Sequence, residues 1–130
     1  MLKGIQSVED AVLAADAAAV ALANHGGRQL DDAPALLELV APVVDRVGDR
    51  VEVICDGGVR RGSDVIRAVA LGARACMIAR PYLYTLAVGG ERGVDLVLRW
   101  FDEGIRRNLA LLGCPQIEVL SPDFVEWRQS

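Results

Sequence analysis

The sequence predicts an α/β protein made of parallel βα units, laid out either as a small open sheet or as part of a β/α barrel. Three observations predict it. Short apolar runs at 19–23, 50–55 and 75–79 alternate with stretches of helical periodicity. The runs are almost wholly apolar, as expected of parallel strands covered on both faces. Each run is followed by a loop rich in glycine, arginine or both.

The elements follow in order. The start "MLKGI" is a very short apolar segment carrying Lys3. "SVEDAVLAAD" (7–16) reads as a helix with Ser7 as N-cap and Asp10 at the third helical position. "AVALA" (19–23) is a short buried strand or further helix, because alanine favours the helix. "APALLELVAPVVDRVG" (33–48) places Leu36, Leu37, Val40, Val43, Val44 and Val47 at helical spacing, with Pro42 as a strained position. "RVEVIC" (50–55) is β-branched and reads as a strand. "SDVIRAVALGA" (63–73) is a helix with Ser63 as N-cap and Gly72 closing it. "ACMIA" (75–79) is a third strand, followed by a loop at Arg80-Pro81. An amphipathic helix is expected from about Gly93 to Leu112, with Val94, Val97, Leu98, Phe101, Ile105, Leu109 and Leu112 on one stripe. The tail from Cys114 reads as irregular.

Composition narrows the function classes. The 130 residues suffice for one domain with a modest core, and 52% hydrophobic with 25% charged residues describes a globular chain. A formal net charge of −4 argues against nucleic acid as a bulk electrostatic partner. No apolar run approaches the roughly 20 residues of a transmembrane helix, and no signal peptide is expected. The cysteines, Cys55, Cys76 and Cys114, are odd in number, widely spaced and without a C-x-x-C, and there is one histidine. A disulfide framework or a zinc site is therefore not expected; small buried thiols in a reducing, cytoplasmic setting are.

In both candidate architectures ligands collect at the carboxyl ends of the strands. Three loops lie there: "NHGGRQLD", "DGGVRRGSD" and "ARPYLY". In the second, Gly57 and Gly58 allow close backbone approach, and the following helix offers free N–H groups. Arg60 and Arg80 come from neighbouring loops and suit a shared phosphate. In the first, Arg28 can hold a carboxylate bidentately while His25 removes a proton from the adjacent carbon or hydroxyl. A base beside a carboxylate anchor suggests a 2-hydroxy acid. The plainer alternatives are a tight turn with solvated arginines, a structural histidine and, for Lys3, a solvated terminal charge.

Together "LKGIQSVEDA", "NHGGRQLD", "DGGVRRGSDVIRAVALGARA" and "RPYLY" resemble, in that order, the FMN-dependent α-hydroxy acid dehydrogenases and oxidases, which include L-lactate dehydrogenases and glycolate oxidases. A phosphate-binding barrel of the inosine-monophosphate dehydrogenase type shares the D-G-G style of loop but does not predict His25 with Arg28. The resemblance implies an oxidoreductase with a (β/α)₈ barrel and FMN at its carboxyl face. It implies that Lys3 lies beside flavin N1 and the C2 carbonyl, that His25 is the catalytic base and that Arg28 binds the substrate carboxylate. Asp56, Gly57, Gly58 and Arg60 would hold the ribityl-phosphate region, Arg80 would be the second phosphate arginine, and the Ala79 N–H would remain available to the cofactor. The expected reaction is oxidation of a small, lactate-like L-2-hydroxy acid to the 2-oxo acid.

The chain departs from the family in four ways. A β/α barrel usually needs about 250 residues. The 130 residues, taken as one partial domain, correspond to roughly strands 5–8, the C-terminal half, so a homo-oligomer or a complementing N-terminal half is expected. The segment before His25 is about two residues shorter than usual, which opens the possibility of a shifted or partly helical strand. Ala23 stands where the family usually has serine, and Ala79 where it usually has glycine. The alternative reading is a non-catalytic flavin- or phosphate-binding half barrel, or an inactive fragment.

Overall fold

Four short strands pair side by side, all parallel, in the order in which they occur along the chain. The computed structural model describes residues 1–127. They run β1 (Leu2–Ile5), α1 (Val8–Leu13), β2 (Ala19–Leu22), α2 (Leu36–Val47), β3 (Glu52–Asp56), α3 (Gly62–Ala70), β4 (Ala75–Met77) and α4 (Arg80–Leu111). Two 3₁₀ turns, Ile117–Val119 and Pro122–Phe124, close the described chain. The "MLKGI" start thus supplies a paired strand of its own, adjacent to β2.

The strand order never reverses, so the sheet lacks the switch point of a doubly wound fold. The main core is helix-side. Val20, Leu22, Val53 and Cys55 project from the strands onto Ala11, Leu36, Val40, Val43, Val47, Ala68 and Leu71. The opposite face of β3 and β4 carries Glu52, Ala75 and Met77, all exposed. A sequential parallel sheet packed by helices on one face only is a piece of barrel wall.

Residues 19–22 form a strand rather than helix, and all four side chains are buried. Alanine's helix preference yields here to pairing on both edges, with β1 and β3. Ser7 caps α1 as expected, its Oγ accepting from the Asp10 N–H at 3.1 Å. Pro42 lies inside α2, which continues through it with Leu36, Val40, Val43 and Val47 buried on one face.

Most elements are shorter than expected or shifted by a few residues, and two of the differences have a clear physical cause. Helix α3 begins at Gly62 with Arg61 as its N-cap, so Ser63 is already helical. The reason is Asp64, whose Oδ2 accepts from the Arg60 and Arg61 N–H groups at 2.9 and 3.0 Å. Starting there puts Gly62 against the Gly104–Ile105 backbone, where a Cβ would collide. The second difference is larger. Arg80-Pro81 is not a loop but the start of α4, with Pro in its first turn, where a missing N–H costs no hydrogen bond. The helix runs to Leu111 but is broken at Gly90, whose φ of 56° and ψ of −145° are non-helical. Of the stripe expected after Gly93, Val97 and Phe101 are buried, while Leu98 and Leu112 are exposed.

Candidate active site

The loops after β2 and β3 and the β4–α4 junction, together with the β1 residue Lys3, enclose one open cleft of about 1170 Å³. Lys3, His25, Arg28, Asp56, Gly57, Gly58, Arg60, Ala79 and Arg80 all line it. Every site residue expected from the sequence therefore faces the same space. Parallel pairing in chain order brings this about, because it puts every strand's carboxyl end on the same rim.

The His25 loop is built by a run of left-handed backbone. His25, Gly26 and Gly27 have φ of 54°, 70° and 73°, and the Gly27 N–H donates to the Asn24 carbonyl at 3.0 Å. Histidine tolerates this region at a modest cost, whereas two further β-carbons would add to it. The turn sends the imidazole back over β1, where a methyl on Gly4 would stand 3.5 Å from His25 Cε1. A methyl on Gly26 would stand 3.5 Å from an Arg80 Nη. The histidine loop thus lies beside both the β1 strand and the arginine that opens α4.

Gly58 also has a left-handed φ, 73°. Gly57 has a φ of 157°, and a Cβ there would also collide with Leu36 Cδ1 of α2. Asp64 fixes the following turn, and its other oxygen takes Arg67 Nη1 at 3.2 Å. It is the positioning residue that motif reading passed over, although an acid three residues after a helix N-cap signals this role. At the third loop, Ala79 has φ −129° and ψ −72°, so its backbone does not demand a glycine. Ala23 is fully buried, and its N–H donates to the Ile5 carbonyl at 3.1 Å, tying the end of β2 to β1 beyond the register shift between Lys3 and Ile5.

The charges are arranged unevenly. Lys3 Nζ lies 2.6 Å from Asp56 Oδ2, while Arg28, Arg60 and Arg80 line the cleft without a carboxylate partner among the described residues. Such a surface favours an anion with several oxygens. The far wall, contributed by α4, is apolar and aromatic, with Leu83, Tyr84 and Trp100. Leu83 and Tyr84 fall in the stretch read as the Arg80-Pro81 loop, whereas Trp100 lies in the stretch expected to be helical.

The thiols stand outside this chemistry. Cys55 and Cys76 are register partners on β3 and β4. Burial pushes Cys55 up to about 11 and Cys76 up to about 12, so both stay protonated near neutrality. Among the described residues no cluster of His, Cys, Asp or Glu is placed to hold a metal, and no helix is long and apolar enough to cross a membrane.

The family profile described as FMN-dependent dehydrogenase matches residues 1–127. The chain is 51% identical over 124 residues to the pre-mycofactocin synthase of Mycobacterium tuberculosis, covering 94% of this chain and 31% of that protein. It is 48% identical to the (S)-mandelate dehydrogenase of Pseudomonas putida, covering 97% and 32%. With the L-lactate oxidase of Nostoc it shares 43% identity, covering 96% and 35%. Among solved structures, a soluble mutant of the membrane-associated (S)-mandelate dehydrogenase from Pseudomonas putida superposes with a TM-score of 0.89 at 48% identity, covering 95% of this chain and 36% of that one. The chain spans about a third of the length of the curated relatives it matches.

Proposed function

This chain belongs to the FMN-dependent dehydrogenase family, and from that premise we propose that it is the FMN- and substrate-binding part of an oxidoreductase acting on a small, lactate-like L-2-hydroxy acid. In this reading residues 1–130 are one partial domain, the C-terminal half of a (β/α)₈ barrel, and β1 to β4 are roughly its strands 5–8. The observation that carries it is the convergence of His25, Arg28, Lys3, Arg60 and Arg80 on one cleft at the strands' carboxyl ends.

The residues fit FMN. Arg60 and Arg80 supply guanidinium groups for a phosphate, Gly58 leaves open space above its backbone, and Lys3 supplies a cation for the flavin's pyrimidine edge. Ala79 contributes its N–H, and Asp56 with Gly57 shapes the ribityl side. When bound, the flavin takes up the two electrons that leave the hydroxy acid. Arg28 clamps the substrate carboxylate through its planar fork, which fixes the carbinol carbon relative to the imidazole. His25 then accepts the proton released from that centre and holds it as imidazolium.

Several relatives carry lactate, mandelate and 2-hydroxyacid names, whose shared chemistry is a carboxylate beside a hydroxyl, whereas the pre-mycofactocin synthases carry no such name. Three free cysteines support a reducing, cytoplasmic setting. A second reading, a flavin- or phosphate-binding half barrel without turnover, draws on the exposed Glu52, Ala75 and Met77 on the inner face of β3 and β4. Gel filtration with FMN separates the two. The chain together with a polypeptide supplying the remaining strands is expected to elute yellow and to reduce a dye with L-lactate. A yellow, inert complex would favour the second reading, and a colourless one would remove the FMN assignment.

A further inference from the structure

Lys3 is the only lysine in the sequence. It stands on β1, Asp56 ends β3, and β2 runs between them, yet their side chains meet at 2.6 Å. Two strand spacings separate β1 from β3, about 10 Å, so the pair must reach across the full width of β2. Lys3 is in register with Ala21, and the β2–β3 register carried one residue past Leu22–Cys55 sets Ala23 beside Asp56. Ala21 and Ala23 are both fully buried and lie outside the helix-side core. Their methyl groups are low enough for the lysine stem to pass over. The ion pair is half screened from solvent, with side-chain exposures of 39% for Lys3 and 17% for Asp56.

Resting on the FMN reading above, we infer that Asp56 acts on the cofactor through Lys3, holding its ammonium over β2 and cancelling part of its positive charge, so that Asp56 sets the electron affinity of a bound flavin. A carboxylate in direct contact offsets an ammonium more than the ordering of one flexible side chain opposes it, because Coulomb attraction at contact in a half-buried site exceeds the rotamer entropy of a single lysine. Removing the carboxylate therefore leaves a stronger cation beside the flavin.

Sulfite adds to N5 of oxidised flavin and places negative charge on the pyrimidine edge, so its dissociation constant reads that cation without turnover. On the FMN-loaded protein, Asp56→Asn is expected to tighten sulfite binding at least tenfold, while Lys3→Met weakens it. In the Lys3→Met background the same Asp56→Asn change is expected to shift the constant less than threefold. An equal shift in both backgrounds, no shift, or weaker binding in Asp56→Asn would overturn the inference. A second measurement uses the cofactor-free chain: acylation of the single ε-amine by an activated ester, read by peptide mass, should speed up at least threefold in Asp56→Asn. An unchanged rate would show that Asp56 does not hold Lys3. If wild type retains no FMN, the cofactor reading fails on its own, and the labelling rate still decides the pair.

Discussion

At the scale of single residues, the proposed function divides the work of one loop between His25 and Arg28. His25 is turned over β1 by three successive left-handed residues, and Arg28 follows on the same cleft wall. In a complemented, FMN-loaded form, His25→Ala is expected to lower turnover by at least about a hundredfold, the usual scale of general base catalysis. The flavin spectrum should stay in place, because the imidazole is not among the phosphate-holding groups. Normal turnover would remove His25 from the base role. Arg28→Lys keeps the charge and loses the fork, so a bidentate charge-assisted contact becomes a point contact. The expected result is a rise in KM of about tenfold, in line with the worth of a charged hydrogen bond. An unchanged KM for L-lactate would dismiss the anchor role.

At the scale of elements, α3 shows how one acid sets a loop. Asp64 takes the Arg60 and Arg61 N–H groups and pairs with Arg67, so the D-G-G turn and the helix start are fixed together. Asp64→Ala is expected to cost about 1 kcal/mol of stability, a normal cap value, and to lower thermal melting by about 4 °C. Ser63→Ala should change it by less than about 0.5 kcal/mol, since Ser63 is not the cap. Equal effects from the two would restore Ser63 as the cap. The strands were legible because β-branched or wholly apolar runs bounded by glycine have few other solutions, as in 50–55. The first turns of α4 were not, because Arg80-Pro81 reads as a loop, although proline suits the first turn of a helix.

At the scale of the whole molecule, the sheet is packed on one face. Buried residues form a main helix-side cluster and a smaller one at Val59, Val97 and Phe101, whereas Glu52, Ala75 and Met77 on the other face of β3 and β4 are exposed and the outer strands β1 and β4 each lack a second partner strand among the described residues. Unpaired parallel edges are templates for further strands. In the gel-filtration experiment above, the chain alone is therefore expected to elute larger than a monomer, and addition of the remaining strands should convert it to a defined complex. A monodisperse monomer that ignores the added strands would argue against an unfinished barrel.

The sequence by itself determined the residue types and their spacing: a lone imidazole beside a guanidinium, two glycine-rich turns, and arginines at strand ends. Those are local facts, written in residue type and short spacing, and a motif preserves them without coordinates. Only the tertiary structure decided which of these groups share a space and how they pair. The Lys3–Asp56 contact crosses 53 positions of sequence and a whole strand, and no periodicity encodes it. It exists because parallel pairing in chain order stacks the carboxyl ends on one rim, and because two alanines keep the ground between them low.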